Sequence, residues 1–537
     1  MKISILNSAI LISSAFAQSV FAKEKPNILC VVCEDISPYL GCYGDNVAIT
    51  PNLDKFATES IRYTRMFTTV GVSAPSRAAL ITGMYPTAIG ANQMRNFTEE
   101  RTQLPPNILP YEVVLPEGVK CYTEFMREAG YYCTNNDKTD YQFAAPLTAW
   151  DENGKTAHWK HRPKGKPFLS IFNLFVTHES QIWARGSKPL VVDPAKIKLP
   201  PYYPEDPIIR NDMAVMYSNI FEMDKQAQKL IDEVKEAGLL DNTIIIFYSD
   251  NGGPMPRGKR AVNESGMLVP FMVRFPNGYR KGEVDNRLSL FLDIPTTILS
   301  IAGIKPPSYM NGQAFLGEYN TKPRDYVYGA RNRMDEQIDK QGAIRDSKFR
   351  YIRNYMPEKA NYMPIGYRLQ MPMMRRMVEM LKNDSLNDVQ KLWFKAPRSK
   401  EEFYDVDKDP HEINNLINDP TYKADIDRLR KEFDKWDNKY NALWKLSELE
   451  CREKFWPKGI QPMVSKPSIT RTAKGLVFQS ETKCASFAYQ INGLGYSKNN
   501  WYLYTQPIKV KIGDIVTVIA DRAGYKNSEI TEYKVSR

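Results

Sequence analysis

The chain has 537 residues, more than one typical hydrophobic core serves, and its 73 Lys+Arg against 62 Asp+Glu give a formal net charge of +11. Hydrophobic residues at 42% and charged residues at 25% exclude a wholly disordered chain, and 29 Gly with 36 Pro exclude a collagen-like or low-complexity one. The cationic excess points to an anionic partner; with no basic block of five or more residues, an acidic substrate fits better than nucleic acid.

Lys2 precedes the apolar stretch Ile3 to Phe16, and small residues follow at Ala15, Ala17 and Ala22. That pattern marks residues 1–22 as a secretory signal and predicts an exported protein, periplasmic or secreted. No later apolar run reaches the ~18 residues of a membrane span, so no stable membrane insertion is expected.

Ile28 to Cys33 reads as a fully buried strand ending in Glu34-Asp35. Its Cys30-Val31-Val32-Cys33 has the spacing of a redox pair but lies inside the apolar run, so core thiols are expected. Pairing among Cys42, Cys121 and Cys133 is left open. Phe168 to Val176 is a second such strand, ending in Thr177-His178-Glu179, and Asn242 to Tyr248 a third, ending in Ser249-Asp250-Asn251. Continuous apolar strands belong to sheets covered on both faces, and a helical stripe between them (Ile220, Met223, Ala227, Leu230, Ile231, Val234) supplies a cover. Val269 to Arg274 continues the sheet.

After about Arg331 the texture changes. Gly342 to Arg353 alternates like one exposed strand, a charged helical region runs from Leu369 to Trp393, and a single helix is expected from about Lys423 to Cys451. Beyond Pro462, β-branched and aromatic runs with turn signals read as a small β-sandwich, similar to the immunoglobulin-like tails of secreted glycan-degrading enzymes. The expected fold is α/β: a large mixed, mainly parallel sheet sandwiched by helices (23–335), a smaller C-terminal α+β subdomain (336–462) and a terminal β-sandwich (463–537). Trp501 to Tyr504 is assigned to that sandwich's core rather than to a sugar platform.

In an open α/β sheet the strand ends Glu34-Asp35, His178 and Asp250-Asn251 converge on one rim, where ligands bind. Glu34, Asp35, Asp250 and the Asn251 amide are hard oxygen donors, suited to Ca²⁺ or Mg²⁺ rather than zinc. The segment Gly71-Val-Ser73-Ala74-Pro75-Ser76-Arg77 with its Leu-Ile-Thr82-Gly83 tail resembles the formylglycine signature of type I sulfatases, of the alkaline phosphatase superfamily. The order of the other landmarks, and Glu402-Phe-Tyr-Asp405 with Asp409-Pro410-His411-Glu412, extend the resemblance over roughly residues 26 to 420.

The resemblance implies that a maturase oxidises Ser73 to formylglycine, whose hydrated aldehyde attacks sulfur and later expels sulfate. It implies a calcium ion held by Glu34, Asp35, Asp250, Asn251 and the nucleophile at Ser73, acting as template and Lewis acid. Glu34 stands where the family usually carries an aspartate. Arg77 matches the arginine that braces the nucleophile, Lys259 the lysine beside the leaving oxygen, and Lys138 the lysine of a G-K-x-H segment whose histidine is here Asp140. His178 takes the place of the general acid or sulfate donor. His158, His161 and His411 receive no role. Arg95, Arg331 and Arg333 are candidates for clamping sulfate or uronate groups of the substrate.

The expected function is therefore hydrolysis of sulfate esters, O- or N-linked, on sulfated carbohydrates such as glycosaminoglycan or mucin fragments. A phosphatase or phosphonate hydrolase of the same superfamily is one rival; with four histidines in the chain, a dizinc site is poorly supplied. An inactive exported glycan-binding protein is the other.

Overall fold

The computed structural model describes residues 25–97, 104–496 and 500–536; the expected signal segment, residues 1–22, lies outside them. The main sheet is built from β1 (Asn27–Cys33), β2 (Ile61–Phe67), β3 (Tyr132–Asn136), β4 (Glu152–Asn153), β5 (Phe168–Leu174), β6 (Thr243–Ser249), β7 (Leu268–Arg274), β8 (Val284–Asp285) and β9 (Ser289–Leu290). Their order is β4-β3-β5-β1-β6-β7-β2-β8, with β9 also on β2. From β4 to β6 every pairing is parallel; β7 runs antiparallel between β6 and β2.

All seven residues of β1 are buried, and alternate side chains enter opposite cores. Ile28, Cys30 and Val32 pack on one face; Leu29, Val31 and Cys33 pack on the other. This two-sided burial is why the strand reads as an unbroken apolar run, each side chain contributing about 1.5–3 kcal/mol. Cys30 and Cys33 are free thiols, as are Cys42, Cys121 and Cys133. The helix Pro207–Glu236, capped by Asp206 through the Ile208 N–H, covers one face with Ile209, Met213, Ile220 and Met223. The helices Ser73–Thr82, Tyr122–Glu128 and Asp293–Ile301 cover the other.

A second sheet, β10 (Val327–Met334), β11 (Gln337–Arg345), β12 (Phe349–Asn354) and β13 (Glu401–Asp405), is antiparallel throughout. β10 pairs with β11 across residue 335, so this sheet begins ahead of the boundary expected there. The single exposed strand expected over Gly342–Arg353 is instead a largely buried hairpin. Its turn is held by Asp346, whose carboxylate accepts the N–H groups of Lys348 and Phe349 at 2.7 Å each. The helix expected over Lys423–Cys451 is two helices, Lys423–Tyr440 and Glu448–Phe455. Ser447 and Glu450 form a capping box that starts the second one afresh.

In the tail, β14 (Ser468–Thr472) pairs with β15 (Gly475–Gln479), and β16 (Ser486–Ile491), β17 (Tyr502–Leu503), β18 (Ile515–Asp521) and β19 (Thr531–Lys534) form a four-stranded sheet. The two sheets share a core in which Leu476 and Phe478 meet Val516 and Val518, with Tyr504 packed against them. The tail docks on the main unit through Ser486, which donates to Glu124 at 2.7 Å, and through the Leu147 N–H, which donates to buried Asp521 at 2.6 Å. Among the described residues no helix is long and apolar enough to cross a membrane.

Candidate active site

Parallel registration positions the site. Cys33 lies opposite Leu174 of β5 on one side and Ser249 of β6 on the other. The residues that follow these three strands therefore emerge together at one edge: Glu34-Asp35, His178-Glu179 and Asp250-Asn251. All six are buried.

Ser73 is the first residue of the helix Ser73–Thr82, preceded by extended Val72 and followed by Pro75, which costs no hydrogen bond in a first turn. The free N–H groups there make an electropositive end. The Ser73 hydroxyl donates to the Asn251 amide oxygen at 3.1 Å. One turn on, Arg77 lies on the same side: its Nε donates to Asp250 at 2.9 Å and its Nη1 to Asn173 at 2.6 Å. Arg77 Nη2 is buried without a partner among the described residues. Ser76 donates to the Asp250 carbonyl at 2.5 Å.

The Lys259 ammonium sits 2.6 Å from Asp35, and that of Lys138 2.5 Å from Glu34. Burial works against the charge on Lys138, but the carboxylates of Glu34, Asp140 and Asp250 together hold the ammonium above the ordinary lysine range. Burial pushes His178 well below the usual histidine value, and Lys259 and Lys138 push the same way, so its ring is neutral. Its Nδ1 accepts the Ser180 N–H at 3.2 Å, which assigns the proton to Nε2; that atom lies 3.9 Å from Glu34 and 4.0 Å from Asp35. His158 and His161 pair with Glu233 and Glu152, and His411 packs on Tyr202.

As the side chains stand, no three Asp, Glu, His or Cys among the described residues are grouped as a metal-holding set. The donor chemistry nonetheless fits a hard dication: three buried carboxylates, Glu34, Asp35 and Asp250, adjoin the Asn251 amide and the Ser73 hydroxyl, with no thiolate or second histidine at the same edge.

Backbone closeness sets the loops. A Cβ on Gly71 would stand 2.4 Å from the Ala261 carbonyl oxygen, and one on Gly266 2.5 Å from the carbonyl oxygens of Ala261 and Gly258. Only glycine lets the Ser73 turn and the Lys259 loop approach so closely.

Of the three arginines expected to clamp substrate, the structure keeps one at the rim. Arg95 is partly exposed, 3.3 Å from Asp335 and over the Tyr367 ring that faces His178. The expectation for Arg331 and Arg333 is corrected: both are buried and committed inside the protein. Arg331 pairs with Asp339, while Arg333 binds Glu448 at 2.6 Å and the Met94 carbonyl at 2.5 Å.

The structure also adds residues that carried no role in the sequence reading. Glu179 is fully buried; Arg260 at 2.8 Å and Arg368 at 3.0 Å outweigh burial and hold its carboxyl well below the usual range. The Glu179 N–H donates to Asp35 at 2.6 Å, and Arg368 donates to the Lys259 carbonyl at 2.7 Å. Exposed Phe175 stacks on His178 with ring centroids 4.8 Å apart, and Trp183 packs on Tyr367 beside it. Adjacency offered one signal: Glu179 follows His178 and Arg260 follows Lys259.

A family model described as Sulfatase matches residues 26–170 and 151–304, together more than half of the chain, and one described as N-sulphoglucosamine sulphohydrolase, C-terminal, matches 257–390. An ulvan-active sulfatase of Formosa agariphila is 39% identical over 96% of this chain and 92% of its own length. The human N-sulphoglucosamine sulphohydrolase is 25% identical over 78% of this chain and 91% of its own. Among solved structures, a 2-O glycosaminoglycan sulfatase superposes with a TM-score of 0.59 at 19% identity, covering 80% of this chain and 96% of that one. Another, solved with its substrate D-glucosamine-2-N,6-O-disulfate, gives 0.58 at 16% identity, covering 79% and 100%. A serine-bearing helix N-terminus set against buried carboxylates, lysines and a neutral histidine, on this sheet and with these relatives, means that the chain belongs to the sulfatase family and is a sulfuric ester hydrolase.

Proposed function

We propose that this protein is an exported sulfatase, dependent on calcium and on formylglycine derived from Ser73, that removes sulfate from sulfated carbohydrates. The observation that carries the reading is Ser73 itself, at the start of a buried helix and bonded to Asn251, with Arg77, Lys138, His178 and Lys259 around it. When present, formylglycine supplies a hydrated-aldehyde nucleophile and calcium a Lewis-acid template for sulfate oxygens. Glu34, Asp35, Asp250 and Asn251 would hold the ion.

The remaining chemistry belongs to the chain. Arg77 fixes Asp250 and Asn173 one helical turn beyond Ser73. Lys138 and Lys259, each beside a carboxylate of the same edge, bind sulfate oxygens and offset negative charge as the ester bond lengthens. The neutral His178 carries its proton on Nε2 and directs that N–H as a hydrogen-bond donor towards a sulfate oxygen or the leaving-group oxygen or nitrogen. Arg95 and the aromatic rim of Phe175, Trp183 and Tyr367 suit a sugar ring with an anionic substituent.

Since the ulvan-active relative matches over nearly the whole of both chains, sulfated oligosaccharides from ulvan are the first substrates to test, followed by glucosamine sulfates. Co-expression with a serine-type maturase should yield an enzyme that releases sulfate from such saccharides faster than from a small aryl sulfate, because sugar contacts supply binding energy an aryl group lacks. Preference for the aryl ester would refute the carbohydrate assignment.

A further inference from the structure

Behind the Lys259 loop lies a small open cleft of about 210 Å³ that takes no part in the chemistry above. Arg257 and Asn263 form one wall and belong to the same loop as Lys259; Trp393, Arg398 and Glu402 form the other. Lys395 and Ser399, both exposed, stand at the mouth.

The lining carries two arginines held in place, Arg257 and Arg398, with Lys395 beside them. The Arg398 side chain is 4% exposed and its outer nitrogens are taken by Asp339, but its Nε has no partner among the described residues. Arg257 donates one nitrogen to the Glu412 carbonyl at 2.6 Å and lies over the Tyr202 ring, yet its Nη1 has none either. Asp339 is the shared partner of Arg398 and Arg331, and the cleft itself is lined by Arg257, Lys395 and Arg398 against Glu402 and Glu412. Glu402 and an aromatic edge at Trp393 complete a surface with donors, acceptors and an apolar face, the mixture a sugar ring with an anionic group satisfies.

We propose that this cleft is a second, non-catalytic binding site for an anionic sugar unit, sulfated or uronic, of a glycan chain. The proposal builds on the carbohydrate reading above. It gives the cleft a route to the catalytic edge. Arg331 donates both to Asp339 and to the Arg260 carbonyl; Arg260 in turn grips Glu179, which stands 4.0 Å from Lys259. A unit seated in the cleft tightens the wall that carries Lys259, so long chains are held better than short ones.

Hydrogen exchange on the full Ser73→Ala chain tests this, with sulfated oligosaccharides from ulvan and from glycosaminoglycans, their desulfated forms, and inorganic sulfate as probes. A sulfated oligosaccharide is expected to protect residues 392–399 and 411–415. Ser399→Trp, which fills the mouth, and Lys395→Glu, which reverses its charge, should each abolish that protection. In the active enzyme each should raise KM for the oligosaccharide about tenfold, or ~1.4 kcal/mol, while leaving a sulfated monosaccharide untouched. Unprotected cleft segments, equal protection by inorganic sulfate alone, or variants that change nothing would overturn the proposal. Sulfate release without cleft protection sinks the cleft and leaves the catalytic reading; cleft protection without release does the reverse.

Discussion

At the scale of single residues, the account depends on how charge is stored in a dry place. Glu34, Asp35 and Asp250 face Lys138, Lys259 and Arg77 in pairs. Removing one member of such a pair leaves an uncompensated buried charge, so substitutions here are expected to be costly. If calcium binds as proposed, it should raise the melting temperature of the wild type, and Asp250→Ala is expected to abolish both that rise and sulfate release. Ligand stabilisation of this kind is about 2.7 kcal/mol at a hundredfold excess over Kd, so its loss is readily measured. An Asp250→Ala protein that keeps the full calcium-dependent shift would refute the assignment of the ion. The strand ends were legible in the sequence because an acidic pair after an apolar run is a local pattern. The ion cluster of Glu179, Arg260, Asp335 and Arg368 was not, because its members come from four distant segments that only the folded chain brings together. Arg331 and Arg333 misled for the same reason: an arginine reads as solvated until its partner, Asp339 or Glu448, is known.

Among the elements, the three central strands could be read directly, since β1, β5 and β6 are buried on both faces and therefore carry no polar alternation. The second sheet was harder. Its hairpin turns on Asp346, and the helix break at Ser447 on a capping box, both of which hide inside longer periodic stretches. The loops that carry Ser73 and Lys259 are held by glycine contacts rather than by side-chain packing. Gly266→Ala forces a Cβ to within 2.5 Å of two carbonyl oxygens, so the loop must move. The expected cost is about 1–3 kcal/mol of stability. Because the displaced loop carries Lys259, kcat should fall more than the loss of folded protein explains, which circular dichroism and rate measurements on the same sample will separate. An unchanged kcat per folded molecule would show that this approach is not what places Lys259.

For the whole molecule, the tail is coupled to the catalytic unit through a buried carboxyl. Burial raises the Asp521 carboxyl from 3.8 to about 7; the Leu147 N–H opposes this, and Glu124 and Glu112 reinforce it. Unfolded, the group loses its proton near the ordinary value, whereas folded it keeps it to about 7. The native chain thus binds more protons across that window, and this group's contribution to stability falls by about 1.4 kcal/mol for each pH unit climbed between the two values. The wild type should melt lower at pH 8 than Asp521→Asn does, with the gap narrowing towards pH 5. A gap of the same size at both pH values would contradict the coupling. A net charge of +11 bears on the same scale: if the rim draws in a polyanion, kcat/KM for long sulfated chains should drop as salt rises while kcat holds, since exposed charges are screened over about 10 Å at 0.1 M. The most direct test of the central claim is the mass of the Ser73 peptide from enzyme that releases sulfate. The account predicts a peptide lighter by the hydrogen pair that oxidation of an alcohol to an aldehyde removes, in proportion to the active fraction; full activity with Ser73 unmodified would contradict it.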